Sequence, residues 1–209
     1  MLWKAIKFFI FVIPVWSLIG LWDLPVAISW DDDTTHRDLS SVAAQRSVLG
    51  TGYLETVLSM KDGLSTKLQW SGGQGGTTKE IRKWIEEGAK YEDAGGLFSG
   101  RFYNHFHNPI HQQPWTSAGL DDSVLGIPVK GESALRWAQN AGFSDLSNLD
   151  WSWDATRDYY YQALTTRTKA VREASMAKTF RGLGHLIHLI QDMGQPSHVR
   201  NDAHPEDFV

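Results

Sequence analysis

The 209-residue chain contains no cysteine, so it has no disulfide framework, thiolate metal site or cysteine nucleophile. Any zinc site must use histidine, aspartate, glutamate or backbone groups as ligands. Positive charge is also not in excess: the formal net charge is -4, which argues against an extended basic groove for duplex nucleic acid. With 42% hydrophobic and 21% charged residues, the composition indicates a globular chain, and the length suits one domain.

Long apolar runs are missing except at the start, where "FFIFVIPVWSLIGLW" (8–22) is uncharged and follows two lysines. This run is short for a membrane span, which needs about 20 residues. Ala27 and Ser29 then stand at the -3 and -1 positions of a small-x-small cleavage pattern. We therefore expect residues 1–29 to be a signal peptide and the exported chain, periplasmic or secreted, to begin at Trp30.

The alternative is an uncleaved membrane anchor formed by residues 8–22. Cleavage before Trp30 would remove two lysines and one aspartate, which changes the formal charge from -4 to -5. Residues 30–209 would then form one domain.

Convincing alternating strands are absent from the rest of the chain, and the sequence predicts an all-α, multi-helix domain. A first helix is expected near Thr35, with His36, Leu39 and Ala43 on one face. A second is expected after Gly76, with capping-box spacing at Thr77 and Glu80 and an apolar stripe of Ile81, Trp84 and Ile85. Later helices are expected at 132–142, 153–175 and 176–192, and residues 95–115 are expected to be a long irregular loop.

The histidines are grouped rather than scattered. They occupy positions 36, 105, 107, 111, 185, 188, 198 and 204. His188 and Asp192 are four residues apart on an expected helix, so their side chains lie on one face and are close enough to share a metal ion. Pro196 follows this helix and fixes a turn that can bring His198 back toward the same face.

The segment "YEDAGGLFSGRFYNHFHNP" (91–109) adds four side chains that can bind a metal. These are Glu92, Asp93, His105 and His107. Carboxylate and imidazole groups are ordinary zinc ligands. A further histidine, His36, follows the acidic run "DDD" (31–33), which we interpret as solvated surface.

These separated motifs together resemble one family, the zinc-dependent phospholipases C and the related S1/P1-type nucleases. The pattern H-x3-D-x2-Q-P-x-H at 188–198 is similar to that of the family. "HFHNP" (105–109) resembles the phospholipase segment "HFYDP", and "EDA" (92–94) precedes it at nearly the family's distance. The spacing from Trp30 to His36 resembles the family's mature N-terminus.

The resemblance implies zinc ligands position by position. The first zinc would be held by Asp93, His105, His188 and Asp192. Asp192 would bridge to a second zinc, which would also bind His36 and the free amine and carbonyl of Trp30. A third zinc would take His198, with His204 as the remaining histidine. The family's last ligands form H-x3-E, which is not found before Val209. Either the third zinc binds weakly or the chain is incomplete at its C-terminus, so two zincs are expected, and three if those ligands exist.

The same resemblance implies a zinc-dependent phosphodiester hydrolase that cleaves phospholipids with a metal-activated water. Asp93 would orient or deprotonate that water, and the enzyme would contact membrane surfaces transiently. His111 and His185 are expected to lie around the ligands or at the surface. Two alternatives stay open: a single-strand nuclease or nucleotidase with the same metal site, and a zinc-binding protein or fragment without turnover.

Overall fold

The computed structural model describes residues 32–72, 77–93, 101–111, 123–124, 127–128, 131–139 and 150–201, which are mostly helical. The helices are α1 (Arg37–Arg46), α2 (Leu54–Thr56), α3 (Ile81–Lys90), α4 (Ala134–Gln139), α5 (Trp153–Thr165), α6 (Lys169–Asp192) and α7 (Pro196–Arg200). Asp32–His36 and Leu49–Tyr53 are π-helical, and Gly63–Ser65 and Phe102–Asn104 are 3-10 turns. Within the described ranges, no helix is long and apolar enough to cross a membrane.

Two short antiparallel ladders accompany the helices. Strand β1 (Lys67–Gln69) pairs with β2 (Thr78–Glu80), with Leu68 opposite Lys79, and β3 (Ser123–Val124) pairs with β4 (Ile127–Pro128). The expected all-α class is therefore right in its main feature, but the first ladder replaces the expected helix start. Glu80, in extended conformation, precedes α3, and no side chain caps this helix. The capping box predicted at Thr77 and Glu80 is therefore wrong.

The core forms where α3 crosses α6. Ile81, Trp84 and Ile85 are fully buried, as their spacing predicts, and Phe180 of α6 is 2% exposed. The Trp84 indole N–H donates a hydrogen bond of 3.2 Å to the Leu68 carbonyl, which attaches β1 to α3. Burial of large apolar side chains contributes about 1.5–3 kcal/mol each, so this crossing is a main source of stability.

Glycines set the separation of α3 and α6. A Cβ atom on Gly88 would lie 1.9 Å from the Arg181 carbonyl oxygen, and one on Gly184 would lie 2.1 Å from the Ile85 carbonyl oxygen. Both distances are far below contact with backbone atoms. The two helices can approach this closely only because neither residue has a side chain.

The helix boundaries near the C-terminus differ from expectation. The predicted helix 153–175 is two helices, because the chain turns extended at Thr166 and Thr168. Thr165 donates its hydroxyl to the Tyr161 carbonyl, a local bond that competes with continuing the helix. As a result, α6 begins at Lys169 rather than Met176 and is 24 residues long.

The face of α1 also differs from expectation. Leu39 is 40% exposed, whereas Ser40, Ser41 and Ala44 are buried. The expected grouping of His36, Leu39 and Ala43 on one face is therefore wrong. Small residues face the core because α1 packs closely against α3, as the contact of Arg82 with the Ser41 hydroxyl shows.

Candidate metal centre

Four segments far apart in the chain bring histidines and carboxylates into one buried cluster. His36 precedes α1, Asp93 follows α3, His105 follows the 3-10 turn, and His188 and Asp192 lie on α6. The four residues other than Asp93 are at most 3% exposed, and the Asp93 side chain is 29% exposed. One face of the cluster, that of Asp93, is therefore open to solvent.

The ligand atoms form two overlapping groups, which we call the Asp93 group (Asp93, His105, His188) and the His36 group (His36, His188, Asp192). In each group one ligand atom per residue lies within 4.8 Å of the others. His188 Nε2 lies 3.2 Å from Asp93 Oδ2 and 3.3 Å from Asp192 Oδ2. His105 Nδ1 lies 2.9 Å from Asp93 Oδ1 and 3.1 Å from Asp192 Oδ2.

These separations suit a shared metal ion. Four tetrahedral ligands at the usual zinc distances of about 2.0–2.1 Å are about 3.3 Å from one another. Among the described residues, His188 Nε2 and Asp192 Oδ2 have no hydrogen-bond partner of acceptable geometry, although both are buried. A buried polar atom without a hydrogen bond strongly destabilises the folded state. A metal ion bound between them would satisfy both, so the donor set fits a metal ion.

Asp192 belongs to the His36 group and also contacts His105 and His188 of the Asp93 group. Its Oδ1 lies 3.5 Å from His36 Nε2, whereas its Oδ2 faces His105 and His188. The two oxygens of one carboxylate thus contact different histidines of the cluster. This arrangement is what a carboxylate bridging two metal ions requires.

Hydrogen bonds outside the cluster fix the rings of two of the histidines. His188 Nδ1 donates to the Ala89 carbonyl at 2.7 Å, so its Nε2 faces the site. His36 Nδ1 donates to Gln191 Oε1 at 2.6 Å, and the Gln191 amide in turn donates to the Ser40 hydroxyl. Partners of this kind set which ring nitrogen is available to a metal. Gln191 and the Ala89 carbonyl carry no signal in the sequence, since neither residue type at these positions indicates the hydrogen-bond partner of a metal ligand.

The charges of the cluster shift the pKa values of its members strongly. Burial lowers the pKa of His188, but the carboxylates of Asp192 and Asp93 outweigh it and raise that pKa to about 10. Partial burial raises the pKa of Asp93, but the imidazoles of His188 and His105 outweigh it and hold that pKa well below its ordinary value. Without a metal ion, protonated imidazoles would therefore balance the charge of the carboxylates. A metal ion would take over this role, and its binding would release the protons.

The remaining candidates occupy different places. Trp30 and His204 lie outside the described residues. His198, buried on α7, lies with its Nδ1 3.7 Å from Asp192 Oδ2 and donates from this atom to the His105 carbonyl. In the described part of the chain, neither group able to hold a metal includes His198. His107 is buried against the Ser133 hydroxyl at 2.8 Å, and His111 is exposed.

Glu92 lies behind the His105 ring, with its Oε1 3.5 Å from His105 Nε2. Its carboxylate contacts Arg101, His185 and Trp137 instead of the other carboxylates. His185, on α6, is stacked on Trp151 with ring centroids 4.8 Å apart. Arg101 carried no signal in the sequence, because a single arginine in an irregular segment has no pattern.

Compared with family models, curated proteins and solved structures, the chain matches none of them.

Proposed function

We propose that this chain is a zinc-dependent phosphodiester hydrolase, with phospholipase C-type cleavage of phospholipids as its activity. The observation that carries the proposal is the divided contact of Asp192, whose Oδ1 lies near His36 and whose Oδ2 lies near His105 and His188. A bridged pair of metal ions is the site that in-line displacement at phosphorus uses. The sequence motifs around the same residues support the same class.

Different residues of the cluster would hold the two zinc ions and act on the attacking water. The Asp93 group and Asp192 would hold one zinc, and His36 and Asp192, with the amine of Trp30, would hold the other. Bound there, the ions would polarise the phosphate and acidify a water molecule. Asp93 is the partly exposed carboxylate of the cluster, so it would orient the attacking water and accept its proton. The water oxygen bonds to phosphorus, the bond from phosphorus to the leaving oxygen breaks, and that oxygen takes up a proton.

The first test is zinc content together with hydrolysis. We expect at least two zinc ions per chain and release of phosphocholine from phosphatidylcholine vesicles. Asp93→Asn should lower the turnover by about 100-fold or more, as for loss of a general base. Fewer than two zinc ions per chain, or an active zinc-free protein, would contradict the proposal.

A nuclease is the second candidate, and one feature favours it. A cavity of about 310 Å³ is lined by four cationic side chains, two glutamates and a tyrosine: Arg37, Lys79, Lys83, Lys90, Glu86, Glu87 and Tyr91. Arg37 directly follows His36, and Lys90 directly follows Ala89, whose carbonyl binds His188. Four cations against two carboxylates leave the lining with a net positive charge, which suits a substrate with several phosphates. Hydrolysis of single-stranded DNA without hydrolysis of phosphatidylcholine would select this candidate.

Export with cleavage before Trp30 is part of the proposal, because the amine of Trp30 exists only after cleavage. We expect that two extra residues placed before Trp30 reduce zinc stoichiometry by one and greatly reduce turnover. The matched control is the chain beginning at Trp30 with the same residues added at its C-terminus. Equal zinc content and turnover in both proteins would show that the amine is not a ligand.

A further inference from the structure

On the side of the His105 ring away from Asp93, a network of buried polar contacts surrounds the Glu92 carboxylate. The consecutive residues Glu92 and Asp93 place their carboxylates at the two nitrogens of this ring. Asp93 Oδ1 lies 2.9 Å from Nδ1, and Glu92 Oε1 lies 3.5 Å from Nε2. His105 is 1% exposed and Glu92 is fully buried. The ring and the Glu92 carboxylate are therefore shielded from solvent, whereas the Asp93 side chain is 29% exposed.

Three donors hold the Glu92 carboxylate in place. His185 Nδ1 donates to its Oε2 at 2.5 Å, the Trp137 indole N–H donates to its Oε1 at 2.7 Å, and the Arg101 guanidinium contacts its Oε2. Arg101 also donates to the Glu92 carbonyl. A buried carboxylate is costly without such partners, and here each oxygen has at least one. The carboxylate is therefore charged and fixed, with Oε1 directed at His105.

The geometry of His105 leaves one nitrogen without a partner. Among the described residues, its Nε2 has no hydrogen-bond partner of acceptable geometry. When Nδ1 binds a metal ion, the remaining proton of a neutral imidazole must be on Nε2. A movement of a few tenths of an ångström would bring this N–H within hydrogen-bond distance of Glu92.

We propose that Glu92 is a positioning residue. It accepts a hydrogen bond from the Nε2–H of His105 and thereby directs the Nδ1 lone pair of that ring at the metal ion. Arg101, His185 and Trp137 support it by fixing its carboxylate. A carboxylate behind a metal-bound imidazole both orients the ring and makes it a stronger ligand. The inference rests on the metal site of the proposed function, but not on its substrate or on turnover.

The test compares Glu92→Gln with the native chain. Glutamine keeps the volume and one oxygen but removes the charge, so the ring loses its fixed acceptor. We expect zinc affinity at the Asp93 group, measured by competition with a chelating dye, to fall by roughly 10- to 100-fold. In the zinc-bound protein, the proton resonance of the His105 Nε2–H should move upfield, because its hydrogen bond becomes weaker.

Glu87→Gln is the matched control. Glu87 is also a buried glutamate with cationic partners, since it contacts Arg181 at 3.0 Å and also Lys79, but no described contact joins it to a histidine of the cluster. This variant should lose stability without changing zinc affinity or the His105 resonance. If Glu92→Gln behaves in the same way, Glu92 has only a structural role and the inference is wrong.

Two further outcomes are informative. If Glu92→Gln does not fold, Trp137→Phe removes one donor to Glu92 and should cause a smaller loss of affinity in the same direction; no change would contradict the inference. A native protein that binds zinc but hydrolyses no phosphodiester would contradict the proposed function and leave the role of Glu92 standing.

Discussion

Zinc is expected to raise the unfolding temperature of the purified, metal-free protein by roughly 10 °C or more. A ligand that binds only the folded state at a thousandfold excess over its dissociation constant adds about 4 kcal/mol. In a chain of this size, each kcal/mol shifts the midpoint by about 2–4 °C. The shift should be large because the ligands come from four separate segments, so the unfolded chain offers no comparable site. Thermal unfolding followed by circular dichroism, with and without zinc, measures the effect.

Asp192→Asn should remove most of this shift. Asp192 is 2% exposed and faces both ligand groups, so one substitution weakens both sites while keeping the side-chain shape. The control is Asp158→Asn on the exposed side of α5, which should retain the full zinc-dependent shift. A native protein whose midpoint rises by less than about 2 °C in saturating zinc does not have the proposed centre.

Gly184→Ala is expected to destabilise the fold by about 3 kcal/mol or more. Its new methyl group would meet the Ile85 carbonyl oxygen at 2.1 Å, and neither partner is a flexible side chain. Overpacking a core by one methylene commonly costs 1–3 kcal/mol, and a backbone clash falls at the upper end of that range or above it. Urea unfolding of the metal-free protein measures the loss, and Val171→Ala, at a 38% exposed position of the same helix, should change stability by less than about 0.5 kcal/mol.

The same substitution should also weaken zinc binding. Separation of α3 from α6 moves the Ala89 carbonyl away from His188 Nδ1, a bond now 2.7 Å long. Loss of such a partner typically reduces metal affinity by 10- to 100-fold. Gly88→Ala, which clashes with the Arg181 carbonyl at the same crossing, should reproduce both effects. A stable Gly184→Ala protein with native zinc affinity would mean that α3 and α6 do not pack this closely at their crossing.

Local patterns predicted those parts of the structure that depend on local spacing. The buried stripe of Ile81, Trp84 and Ile85 follows from helical periodicity alone, and the approach of His188 to Asp192 follows from their spacing on one helix. The break between α5 and α6 could not be predicted because it depends on residues 166–168 leaving the helix, where intrinsic preferences are weak and tertiary packing decides.

The candidate site also contains residues that could be predicted from the sequence and residues that could not. The family resemblance indicated His36, Asp93, His105, His188 and Asp192 as ligands, and the structure brings these five together. The residues that orient them could not be predicted, because a hydrogen bond from His36 to Gln191 joins positions 155 apart in the chain. Glu92 was grouped with the ligands from its type alone, and only its direction behind the His105 ring distinguishes it from Asp93.

The dispersal of the ligands along the chain has a consequence for folding kinetics. A site that needs residues 36 and 192 together requires long loops to close, and non-local contacts of this kind form slowly. The transition state would then lack much of the completed cluster. A bound ion would therefore slow unfolding far more than it speeds folding. With the metal bound, the protein would then persist mainly through the long lifetime of the metal-bound folded state.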